Sequence, residues 1–157
     1  MQAKAYTSDP ISVEATPLSG DFTSADIEVH GLDHSGESFE GRVFLNNPDA
    51  DESTELTLDN GYAGSFYIFG HGGCFGDVGH CEVSGQQRAY DPRQSHPLLP
   101  QTKAVRATEA LRRAAAQGED IKVTVVPVLD PGIEQPDTED IEDVLKFDHV
   151  SIISYKL

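Results

Sequence analysis

Short apolar–polar alternations, each closed by glycine, proline or an Asx residue, recur along this chain and restrict it to an antiparallel β architecture. Ile11 to Ala15 alternates and is ended by Pro17 and Gly20. Ala25 to Leu32 alternates again, with Ile27 and Val29 on one face and Glu28 and His30 on the other. Asp33-His-Ser-Gly36 then predicts a hairpin turn, because Asp and Gly tolerate the left-handed backbone that such turns use. Phe39 to Leu45 returns as a third strand and Glu55 to Leu58 supplies a short fourth. Asp59-Asn60-Gly61 is a turn before a fifth strand that runs from Tyr62 to Phe69.

The second half adds one helix. The stretch from about 84 to 101 has no apolar rhythm and reads as loop, and Thr102 to Ala107 as a strand. Thr108 is placed to cap a helix over Glu109 to Gln117, with Gly118 as its stop. Leu111, Ala114 and Ala115 form its one apolar stripe, so the helix is expected to pack on the sheets. Ile121 to Leu129 is the clearest core strand, and Pro127 within it predicts an edge or a bulge. Leu145 to Tyr155 closes the chain as a final strand. About seven or eight strands with one short helix give a mainly β fold, an antiparallel β-sandwich. We expect a single domain over residues 10–157, with 1–9 as an N-terminal extension.

Charge narrows the partners. Eleven basic residues against twenty-seven acidic ones leave a net charge of −16. Nucleic-acid binding needs clustered Lys and Arg, so no nucleic acid is expected as a partner. An anionic membrane surface is disfavoured for the same reason, and no apolar run approaches a span. Residues 1–20 hold no apolar segment of the signal-peptide kind, and the sequence assigns no compartment. The acids gather at Asp49 to Glu52 and at Asp130 to Asp143, without the spacing of an EF-hand loop. They read as solvated loops in preference to calcium sites.

The chemistry concentrates in one place. His71-Gly-Gly-Cys74-Phe75-Gly-Asp77-Val-Gly79-His80-Cys81 holds both cysteines and two of the six histidines, threaded by four glycines. Thiolate and imidazole together suit copper or zinc, so His71, Cys74, His80 and Cys81 are the candidate metal ligands. An electron-transfer copper site would also need a remote histidine, for which His30, His34, His96 and His149 are available. Its usual axial methionine has no counterpart, since Met1 is the single methionine. A disulfide between Cys74 and Cys81 is the alternative, because a short glycine-rich loop lets the two Cα atoms approach. A third reading has the loop hold copper transiently, for delivery. Hydrolytic catalysis fits poorly, as no Gly-x-Ser-x-Gly elbow is present.

The order of these segments resembles a known family. Phe39-Glu-Gly-Arg-Val-Phe-Leu45, Tyr62-Ala-Gly-Ser-Phe66, Gly70-His71, Ile121 to Val128 and Leu145-Lys-Phe-Asp-His-Val-Ser-Ile152 are together similar to the C-terminal domain of tyrosinases and polyphenol oxidases. The similarity spans about residues 10–156, and the cysteine-bearing loop looks like bacterial members. It implies a β-sandwich that covers a separate helical domain, where a type-3 copper pair oxidises phenols. This chain would then be non-catalytic, a covering domain whose partner is that catalytic domain in cis or in trans. Phe75 is the residue the resemblance nominates as an aromatic plug of the active site. Copper is a possible cofactor, loaded through His71, Cys74, His80 and Cys81. The Cys-x-x-Cys pair of some fungal relatives is absent. The alternative is a stand-alone protein binding one Cu or Zn ion.

Overall fold

The computed structural model describes residues 3–12, 22–71, 90, 98–118, 120–129 and 143–156. These residues form a mainly β fold of seven strands in two antiparallel sheets with one helix, as the alternation requires. The strands are β1 (Tyr6–Thr7), β2 (Ser24–Leu32), β3 (Phe39–Leu45), β4 (Tyr62–Ile68), β5 (Gln101–Arg106), β6 (Val123–Leu129) and β7 (His149–Tyr155). Helix α1 (Thr108–Ala116) lies between β5 and β6. One sheet runs β1-β6-β3-β4 and the other β5-β2-β7. Tyr6–Thr7 belongs to the segment expected as an extension, yet it pairs with Val125 and Thr124 of β6.

Period-two burial explains why the sheets close on each other. Ile27 and Val29 of β2 face Val43 of β3 and Val123 and Val125 of β6, all fully excluded from solvent. Burying each such side chain contributes about 1.5–3 kcal/mol. Leu111 of α1 joins the same cluster, with Ala110 and Ala114 beside it. A second apolar cluster sits on the outer face of the four-stranded sheet, where Phe44 and Val126 are covered by Ala50 of the β3–β4 connection. Val43, Phe44 and Leu45 are therefore all buried, whichever side of the pleat they occupy.

Four expectations are corrected. Asp33–Gly36 is a turn but not a hairpin: β2 and β3 lie in different sheets, so the chain crosses the sandwich there. Residues 55–58 form no strand. Leu56 and Leu58 are exposed, and Thr57 caps a short three-ten turn over Leu58–Asn60, with its side chain accepting from the Asn60 N–H. The helix cap is Ala107, one residue early, because the Thr108 hydroxyl instead accepts a hydrogen bond from the Ala25 N–H at 3.1 Å. The last strand starts at His149, not at Leu145. Gly118 does take the left-handed conformation of a helix stop, at φ +71°. Pro127 is tolerated because β1 faces β6 only at Thr124 and Val125, leaving the far side of Pro127 as an edge. The strand expected at 11–15 is described only at its start, where Ile11 bridges to Ile121.

One glycine is demanded by packing. Gly41 pairs with Phe66 across β3 and β4, and a Cβ there would run into the Phe66 ring. Phe66 is 4% exposed, so its ring has no free space to move into. Gly41→Val is expected to lower the unfolding free energy by about 1–3 kcal/mol, read by urea denaturation. An unchanged midpoint would contradict this packing.

Candidate functional site

The site follows from the sheet-crossing turn. The Asp33 carboxylate accepts the Ser35 N–H at 2.8 Å, and the Asp33 N–H donates to the Lys146 carbonyl at 2.9 Å. The Ser35 N–H, followed by the Ser35 hydroxyl, holds the Asp33 carboxyl below its ordinary value. The sign is that of a depressed acid: its contribution is full above the ordinary aspartate pKa and is lost as pH falls through the lowered one. This closed turn turns His34 inward, where it is only 7% exposed.

His34 grips both feet of the segment that contains the cysteines. Its carbonyl accepts the His71 backbone N–H at 2.9 Å, and the His71 Nδ1 lies 3.3 Å from the same oxygen. Its Nε2–H donates to the Leu99 carbonyl at 2.9 Å. The two imidazoles meet edge to face, with centroids 5.1 Å apart, and Phe69 stands perpendicular to His71 at 5.8 Å. Gly70 lets β4 leave against the turn: a Cβ there would strike the backbone of Gly36 and Glu37, and its N–H donates to the Ser38 hydroxyl at 2.9 Å. Residues 71 and 99 are thus tied to one histidine, and Cys74, Phe75, His80 and Cys81 fall between them in sequence.

Of the predicted site residues, His71 is described, half-buried at the end of β4. Cys74, Phe75, His80 and Cys81 lie outside the described residues, and so does the alternative Cys74–Cys81 disulfide. Of the remote histidines, His96 lies outside the described residues, and among the described ones His34 is brought to His71. His30 and His149 instead stack on each other at the far sheet. Among the described residues, no three His, Cys, Asp or Glu side chains form a ready metal site. His71 with His34 at its edge offers imidazoles of the type a copper or zinc ion takes.

Two features were beyond the reach of sequence reasoning. One is the anchoring role of His34, which the turn signature hid. The other is that its Nδ1 is buried with no hydrogen-bond partner among the described residues. A polar-lined hollow of about 220 Å³ also lies between α1 and the Leu58–Gly61 turn, where Arg113 pairs with Asp59 at 2.6 Å. It is smaller than the roughly 300 Å³ from which ligand pockets usually start. His34→Ala removes the Leu99 tie and is expected to lower stability by about 1–3 kcal/mol in urea denaturation. Unchanged stability would contradict the anchoring.

No protein-family profile matches the chain, and no curated protein matches it. Solved structures do. A recombinantly expressed latent aurone synthase (polyphenol oxidase) co-crystallised with hexatungstotellurate(VI) aligns over 98% of this chain at TM-score 0.50 and 16% identity. The latent aurone synthase from natural source aligns over 97% of this chain at TM-score 0.48 and 18% identity. Another recombinant form of it aligns over 97% at TM-score 0.47 and 18% identity. In each case the chain spans about a quarter of the other protein's length, 24%, 24% and 23% respectively. At these identities the likeness is one of fold, and nearly the whole of this chain has a counterpart in a part of a polyphenol oxidase.

Proposed function

We propose that this chain is a non-catalytic covering domain for a tyrosinase-like type-3 copper oxidase, joined to it in cis or docking on it in trans. The observation that carries the reading is the alignment at TM-score 0.50, which uses 98% of this chain and 24% of a polyphenol oxidase. A part of that size leaves most of such an enzyme outside this fold. The anchoring of residues 71 and 99 supports the role. His34 ties residues 71 and 99, on either side of the cysteines in sequence, to one buried point of the fold. Phe69 and Leu99, at 78% and 66% exposure, leave apolar surface beside those feet, as a contact face would.

In this reading Phe75 enters the substrate position as an aromatic plug. His71, Cys74, His80 and Cys81 pass copper to the catalytic domain, with thiolate and imidazole holding Cu(I) until transfer. The contact between His34 and His71 favours one second reading, a self-sufficient protein holding a single Cu or Zn ion at the loop. Thiol counting by mass spectrometry separates the chemistries. Two free thiols support metal handling, whereas a Cys74–Cys81 disulfide removes both thiolates from either metal role.

Docking is tested by adding the purified chain to a polyphenol oxidase catalytic domain stripped of its own cover. Diphenol oxidation is expected to fall, and Phe75→Ala to weaken the inhibition by about tenfold or more, the scale of a buried aromatic anchor. Unchanged turnover together with no complex by gel filtration would overturn the proposal.

A further inference from the structure

The chain has three asparagines, Asn46, Asn47 and Asn60, and all three line the hollow between α1 and the Leu58–Gly61 turn. The first two directly follow β3 and the third belongs to the turn before β4. Helix α1 closes the other side with Ala110, Arg113 and Ala114, which recur at helical spacing on one face. Backbone contacts hold all three carboxamides. Asn46, at φ +53°, accepts the Lys122 N–H with its Oδ1 at 2.8 Å and donates its own N–H to the Lys122 carbonyl at 2.9 Å. Its Nδ2 is buried with no hydrogen-bond partner among the described residues. Asn47 and Asn60 donate from Nδ2 to the Asn60 and Glu55 carbonyls, at 2.9 and 3.2 Å, which leaves their Oδ1 atoms to accept. Arg113 reaches from the helix to the turn, its Nη2 donating to the Asp59 carboxylate at 2.6 Å.

We infer that this hollow binds a neutral polyhydroxylated ligand, a single sugar ring. Amide, carboxylate and guanidinium groups are planar and hydrogen-bond through two adjacent atoms, which suits two neighbouring hydroxyls on a ring. The lining mixes donors with acceptors: Arg113 donates, while Asp59 and the Asn47 and Asn60 Oδ1 atoms accept. A hydroxyl does both, so one class of ligand group answers the whole set. The formal charges of Asp59 and Arg113 cancel, so the site singles out neither an anion nor a cation. The net charge of −16 opposes anions further. Leu58, Ala110 and Ala114 offer apolar wall to the C–H face of a ring. The hollow of about 220 Å³ equals roughly seven waters of the liquid, room for one ring and too little for a drug-sized molecule. The two alanines keep that room open, since longer side chains on this helix face would fill it. The hollow lies at the Tyr62 end of β4 and His71 follows the opposite end, so the site stands or falls independently of the covering role.

Titration of the isotope-labelled full chain with D-glucose, D-galactose and D-mannose, followed by amide NMR, tests the site. At least one sugar is expected to shift the amides of residues 45–47, 58–61 and 113–117 and to leave those of 68–71 in place. Asp59→Ala and Arg113→Ala, both at exposed positions, should each weaken binding by about tenfold or more, the scale of a lost hydrogen bond to a charged group. Arg112→Ala removes the neighbouring guanidinium, which pairs with Glu109 outside the hollow, and should leave binding unchanged. Disaccharides ending in the same ring separate the sources: binding as tight as the free sugar assigns a glycan end, and binding of the free sugar alone assigns a small solute. Either result supports the site. No shift with any sugar, shifts that survive both alanine substitutions, or equal shifts with acetate overturn it.

Discussion

The interlock between the inward faces of β2 and of β3 with β6 carries the rest of the molecule. Ile27 and Val29 meet Val43, Val123 and Val125 with no solvent contact, and α1 adds Leu111 to the same body. Each of these strands is flanked by others in its own sheet, and a slip of one residue would turn Ile27, Val29, Val43, Val123 and Val125 away from the core that the two sheets share. The strands alternate between sheets along the chain. Among the described elements, β3 and β4 are the one consecutive pair that bond to each other. Nearly every connection must therefore cross the sandwich, and the crossings are where chemistry-bearing residues collect.

The crossing after β2 shows how packing becomes a site. The Asp33 turn redirects the chain from one sheet to the other and buries His34 in doing so. Buried there, His34 ties both feet of the cysteine-bearing segment, its Nε2–H donating to the Leu99 carbonyl and its own carbonyl accepting the His71 N–H. Opposite in character, the stacked His30 and His149 arise from sheet register alone, since residues paired across strands share a face. Both clusters thus descend from the same central strand, one from its end and one from its outward side.

Much of this was legible in the residues. β2, β3, β4, β5, β6 and α1 follow alternation or helical spacing within a residue or two, because those patterns report burial directly. What failed did so where a local signal has two structural outcomes. Asp33–Gly36 marks a turn, but its chemistry is the same whether the next strand pairs with the last or joins the facing sheet. Leu56 and Leu58 alternate like strand residues, yet no neighbour offers them a ladder, and Thr57 finds a better partner in its own backbone. Thr108 carries a capping hydroxyl that tertiary structure diverts to Ala25. The candidate loop was conspicuous for its histidines and cysteines. Its anchor was not, because the link from His34 to Leu99 spans 65 residues and leaves no local trace.

Native-state amide hydrogen exchange tests the interlock most directly. The central residues of β2, β3 and β6 should exchange together, at the free energy of global unfolding, because the larger apolar cluster is built from both sheets at once. Exchange of β2 with β5 and β7 through a separate, lower-energy opening, while β3 and β6 stay protected, would contradict the account.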